Sequence, residues 1–276
     1  MYTLFSLLLI ATFAFAQATL PATYNLASGN YSLSSVDSTT PAGSYPASMI
    51  FHYTIQPETV LPKHVYDSSV EGARNYDCPY NLTSRNRIVA LNANGFAFIS
   101  TSSAQYNDCT SGTADSNRYV GAAVLGLNTT GLSTVNVAWK GTVITIGDNA
   151  DTTLRRQYTV RLQYRVGATG IYNDVFSNGA PVECNSIGKV AGQVQYLSAT
   201  LPSACANQAA VYLRWVYFSL RGTSGTRPEI GVDDIEAGSS ILPVHLLSFT
   251  AGNNNGAALL SWKTSNEVNL SRFEVE

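Results

Sequence analysis

Alternation of apolar and polar residues dominates the middle of the chain. In Gln157–Val166, Tyr158, Val160, Leu162, Tyr164 and Val166 fall on one side, and Gln157, Thr159, Arg161, Gln163 and Arg165 on the other. A period of two predicts a half-buried β-strand. Residues 135–140 repeat the pattern, with Val135, Val137 and Trp139 on the apolar side. Residues 211–220 place Val211, Leu213, Trp215 and Tyr217 on one face and Tyr212, Arg214, Val216 and Phe218 on the other. That mixed second face predicts a central strand covered at one end.

Shorter strand-like runs occupy 48–55, 88–91, 95–100 and 232–237, the last closing the main domain. Between them stand Gly126, Gly131, Gly147-Asp148-Asn149, a glycine-containing stretch at 167–170, Asn178-Gly179 and another at 222–225, all read as turns. Residues 56–87 read as long loop structure. No helical period follows the N-terminal apolar run, and no βαβ alternation appears. Many short strands with frequent turns predict an all-β, jelly-roll-like antiparallel β-sandwich over residues 17–240.

The two ends differ from this body. Residues 4–15 are almost wholly apolar and too short to span a bilayer comfortably. Ala14-Phe15-Ala16 supplies the small-x-small pattern of an export signal, which predicts cleavage after Ala16, a secreted or cell-surface product and no transmembrane span once residues 1–16 are removed. At the other end, 242–249, 258–262 and 272–276 carry strand patterns around an Asn- and Gly-rich turn. A few strands bury no core of their own. Residues 241–276 are therefore expected to open a second β-domain, with downstream domains of a longer protein as its partners.

Composition narrows the function classes. Charged residues make up 12% of 276 residues, with a net charge of −2 and no basic cluster, so nucleic acid is not an expected partner of this segment. Four cysteines, Cys78, Cys109, Cys184 and Cys205, suit an exported chain with disulfides. Three pairings exist; adjacency in sequence favours Cys78–Cys109 and Cys184–Cys205, with buried free thiols as the alternative.

Several strings resemble a known module when taken together: Asn94-Gly95-Phe96-Ala97-Phe98, the run from Gly121 to Gly131, the run from Arg161 to Gly167, Leu213-Arg214-Trp215-Val216-Tyr217 and Gly231-Val232-Asp233-Asp234-Ile235. They are similar to the jelly-roll module of large exported, type IX secretion-associated proteins of the Bacteroidota. The tail resembles the fibronectin-III-like segment that precedes the sorting domain in such proteins, here a partial copy. The resemblance implies a non-catalytic accessory module that accompanies hydrolases, nucleases or adhesive regions. It also implies a structural calcium ion near the closing strand, for which Asp233 and Asp234 are the candidate ligands. Calcium takes six to eight oxygens, so the pair is at most part of a site. The alternative is a pair satisfied by backbone N–H groups and Arg221 or Arg227.

The remaining chemistry is sparse. Arg161, Gln163 and Arg165, with Tyr212 and Arg214 on an expected neighbouring strand, form a candidate glycan-binding row, since planar rings and forked donors suit sugars. The same row also fits a solvated sheet exterior with cross-strand pairs. His52, Glu58 and His64 lack zinc-site spacing, and His245 has no acid or serine elbow around it. No Gly-x-Ser-x-Gly, phosphate loop or dinucleotide fingerprint occurs. Asp37-Ser38-Thr39 and Asp151-Thr152-Thr153 match the O-glycosylation acceptor pattern of Bacteroidota exports, and the sequons at Asn81, Asn128 and Asn269 are chance matches under this reading. The sequence thus points to a non-enzymatic exported module, for a surface or polymeric glycan. Its alternatives are the front of a secreted hydrolase of glycan or nucleic acid, and a structural spacer or adhesin stalk.

Overall fold

A computed structural model describes residues 20–39, 45–55, 88–99, 119–241, 245–254 and 257–265. The expected export signal, Glu58, His64, Cys78, Cys109 and the sequons at Asn81 and Asn269 lie outside these residues. Val, Ile, Thr and aromatic residues fill the extended segments, as pleated, half-buried backbone favours. In chain order the strands are β1 (Tyr24–Asn25), β2 (Tyr31–Leu33), β3 (Met49–Ile55), β4 (Ile88–Ala90), β5 (Phe96–Phe98), β6 (Tyr119–Asn128), β7 (Asn136–Val143) and β8 (Gln157–Val166). They continue with β9 (Asn173–Asp174), β10 (Phe176–Ser177), β11 (Ala180–Pro181), β12 (Glu183–Asn185), β13 (Gln193–Thr200), β14 (Val211–Arg221), β15 (Ile230–Gly238), β16 (His245–Asn254) and β17 (Ala257–Ser265). Short 3-10 turns occupy Leu26–Ser28 and Ser203–Cys205. Among the described residues no helix is long and apolar enough to cross a membrane.

Two sheets pack face to face. The first has seven strands in the order β1-β6-β14-β8-β12, with β3 also on β6 and β9 also on β8. The second has six, β13-β7-β15-β5-β4, with β2 also on β15. All these pairings are antiparallel except β1 on β6. β14 is central, between β6 and β8, and its residues from Val211 to Ser219 are buried on both faces. The all-β sandwich read from the alternating pattern is the observed architecture.

The core lies between the sheets. Leu125, Val160, Leu162, Leu213 and Trp215 of the first sheet meet Val137, Trp139, Phe96, Phe98 and Val232 of the second. Trp139 and Trp215 pack edge to face at 6.4 Å, and Tyr217 stacks on Tyr158 at 4.8 Å and on Phe98 at 6.0 Å. The Tyr217 hydroxyl donates to the Pro228 carbonyl at 2.6 Å, which satisfies its buried polar end.

Two expectations change. Gly126, read as a turn, lies inside β6 opposite Tyr212. A Cβ there would stand 2.9 Å from the Ala22 carbonyl oxygen and 3.1 Å from that of Pro21. The glycine therefore admits the N-terminal segment, rather than bending the chain. The Cys184–Cys205 disulfide is also absent; both thiols are free and buried. Cys184 sits opposite Val160 and reaches across the core, where a Cβ on Gly141 would lie 2.8 Å from its Sγ. The Cys205 carbonyl accepts from Thr129 Oγ1 beyond the end of β6, whose Leu127 is level with Val211 and, through it, Val166. Val160 and Val166 are six residues apart on β8, or ~20 Å, far beyond disulfide reach. Burial pushes both thiols up to about 12, away from reactive thiolate.

Residues 245–254 and 257–265 form a separate two-stranded antiparallel sheet, β16 on β17, with Phe249 opposite Trp262 and both solvent-exposed.

Candidate binding cleft

The row picked out by alternation on β8 and β14 is brought together, but under cover. Arg214 pairs with Gln163 across the two strands and donates to the Gln163 side-chain oxygen from both Nε and Nη2. The Arg214 guanidinium lies 4.0 Å from the centre of the Tyr172 ring. The Arg165 guanidinium lies 4.4 Å from the same ring and 5.7 Å from that of Tyr212, and its Nη1 donates to the Gly170 carbonyl. Gln163 and Arg214 are fully buried, and Arg165 and Tyr212 nearly so. Tyr172 closes the face from above, while Leu20 packs with Tyr212 and Val124 beside it. The outer face of the first sheet is therefore a second, small interior, and these side chains are not a solvent-facing platform.

Arg161 ends the row differently. It donates to Glu183 Oε2 from Nε at 2.8 Å and to Asp174 Oδ2 from Nη1 at 2.9 Å, while stacking over Phe218. Gln163 Nε2 donates to Asp174 Oδ1 at 2.7 Å. Each oxygen of Asp174 thus has one fixed donor and keeps acceptor capacity to spare. Two members of the predicted binding row, Arg161 and Gln163, hold Asp174.

Asp174 lines a cleft of about 560 Å³ at the edge of the sandwich. Tyr164 and Tyr172 back it, Thr200 and Pro202 come from the end of the second sheet, and Asn173 and Phe176 complete the rim. Phe176 is 56% exposed, a large apolar ring facing water. It sits on β10, joined to β11 by Asn178-Gly179, whose φ angles of 52° and 80° suit the tight hairpin turn that these two residues favour. The sequence marks that turn; it does not mark Phe176, Asn173 or Asp174, because the alternation that flags β8 is absent from such short strands.

The second sheet carries a different opening. A groove of about 450 Å³ runs over its outer face, lined by Val89, Leu91, Thr142, Ile144, Lys140 and Asp233 among others. A register shift between Asp233 and Glu236, with Asp234 at φ 47°, turns both adjacent carboxylates to one side, contrary to simple alternation. Lys140 Nζ lies 2.6 Å from Asp233 Oδ2 and 3.1 Å from Asp234 Oδ2. The cation against these carboxylates is therefore Lys140, in place of the Arg221 or Arg227 of the alternative reading; Arg221 donates to Gln157. Burial works to lower the Lys140 pKa, but the hydrogen bonds and charges of the two aspartates outweigh it and raise it. No group of three or more His, Cys, Asp or Glu that would hold a metal occurs among the described residues.

Asp37-Ser38-Thr39 and Asp151-Thr152-Thr153 share one geometry: the aspartate accepts from both the backbone N–H and the hydroxyl of the threonine two residues on. These contacts hold both exposed carboxyls below the ordinary range. His52 lies in β3 and His245 opens β16, on different sheets.

No family model matches the chain. No curated protein matches it either. Among solved structures, a xylan-binding module, CBM15, is similar over 76% of this chain and 96% of its own, at 11% identity and a TM-score of 0.32. The enzymatically active domain of tailspike protein 4 of bacteriophage CBA120 is similar over 75% and 21%, at 7% identity and 0.31. A mutant xylanase 10C of Cellvibrio japonicus in complex with xylopentaose is similar over 75% and 29%, at 9% identity and 0.30. Likeness of this size defines neither a family nor a ligand for this chain.

Proposed function

We propose that the chain is an exported, non-catalytic module that binds a polymeric glycan in the cleft at the edge of the sandwich. One observation carries the reading: the exposed Phe176 ring stands beside an aspartate whose position is fixed by Arg161 and Gln163. Sugar rings present an apolar face that packs on an aromatic plane, and hydroxyl edges that need fixed acceptors and donors. Phe176 supplies the first, and Asp174, Asn173 and Thr200 the second. Rigid polar groups bind without a large ordering cost. Export, a Bacteroidota source, the type IX route and attachment to downstream domains belong to the same proposal and rest on the sequence strings alone.

The test is retention on a panel of insoluble polysaccharides. Phe176→Ala should lower affinity by about tenfold, the equivalent of ~1.4 kcal/mol for a lost ring contact, with an unchanged melting temperature. Retention by no polysaccharide, or equal retention of the variant, removes the reading.

A further inference from the structure

We infer that the cleft selects neutral glycan chains and rejects acidic ones, with Asp174 as the specificity-determining residue; this rests on the glycan-binding reading above. Among the described residues, those lining the cleft include one charged side chain, Asp174, and no Lys or Arg. Arg161, Arg165 and Arg214 each touch a lining residue without lining the cleft themselves. Arg165 and Arg214 are buried and lie against the Tyr172 ring. Arg161 is not a lining residue; it is shared between Asp174 and Glu183, so two carboxylates face one guanidinium.

The ion cluster of Arg161, Asp174 and Glu183 taken by itself carries one negative charge in excess; Arg165 and Arg214 are held against Tyr172, and the carboxylate, not a guanidinium, borders the cleft. Hydroxyl groups can donate to the free acceptor positions of Asp174. A uronate or sulfate brings only further acceptors and a like charge, with no cation in the lining to meet it. Asp174 is only one-fifth exposed, which limits screening of that repulsion by water.

Affinity electrophoresis of the full chain against arabinoxylan, galactomannan and dextran, and against polygalacturonate and alginate, tests this. Retardation by at least one neutral polymer is expected, with affinity for polygalacturonate at least about tenfold lower at low salt. Asp174→Asn should narrow that gap. Raising the salt on the unaltered chain from about 0.01 M to about 1 M should narrow it too, because the Debye length falls severalfold. The salt series keeps the test alive if the variant fails to fold. Retardation by polygalacturonate equal to or above that by every neutral polymer overturns the selectivity and leaves glycan binding standing. A gap that neither salt nor Asp174→Asn alters also overturns it. Retardation by no polymer overturns the glycan reading itself.

Discussion

The outer faces of the two sheets carry comparable polar cargo, yet one is sealed and the other open. On the first sheet Gln163, Arg165 and Arg214 lie beneath Tyr172 and the segment around Leu20. On the second, Lys140, Asp233 and Thr142 line a groove. Strand alternation determines which side chains leave the core. Whether they then meet water depends on segments from elsewhere in the chain that cross the face. A buried guanidinium must be enclosed by acceptors and ring faces, and the sealed face supplies these as the Gln163 amide oxygen and the Tyr172 ring.

The sharpest way to break this contrast is Arg214→Ala. It leaves Gln163 short of donors and a void beneath Tyr172, and should cost about 2–4 kcal/mol in urea unfolding. A loss under about 0.5 kcal/mol, the range of ordinary surface changes, would show that the face is not sealed. Next in size is Lys140→Met on the open face. It strands the nearly buried Asp233 carboxylate, and should cost about 1–3 kcal/mol at neutral pH. Because the folded-state pKa of Lys140 is raised, the pair's contribution is complete below the unfolded lysine value. It disappears as pH rises through the folded one. The gap between wild type and variant should thus stay constant from neutral pH to about 10 and shrink above it. A gap that widens in alkali would mean the ammonium is not what holds the aspartates.

A matched pair of glycine substitutions compares the faces directly. Gly126→Ala should cost about 1–3 kcal/mol, since its Cβ would press on backbone oxygens of the covering segment. Gly231→Ala, where the nearest atom is a flexible Ile144 methyl at 3.3 Å, should stay within about 0.5 kcal/mol. Equal costs from chemical denaturation would erase the distinction.

The strands with an unambiguous period were legible: β7, β8 and the central position of β14 follow from alternation alone. β6 was not, because Gly121 to Gly126 is small and apolar on both faces and carries no period. β13 reads the wrong way round, with Val194 exposed and the Gln195 amide oxygen buried. The candidate row was found as a set and misplaced in depth. Its cover, Tyr172, lies beyond the glycines that signal only a turn. Asp233 and Asp234 were legible as a pair, but a one-residue bulge, invisible to a period-two reading, gave both to Lys140. The cleft residues escaped because strands of two residues, such as β9 and β10, leave no pattern to find.

The three tryptophans are divided between the two parts of the chain. Trp139 and Trp215 meet edge to face in the sandwich core, and Trp262 is 36% exposed on the hairpin opposite Phe249. The protein therefore carries its own optical labels. Blue-shifted emission that acrylamide reaches slowly reports the sandwich, and red-shifted, readily quenched emission reports the hairpin. Unfolding of either part can be followed without adding a dye or cutting the chain.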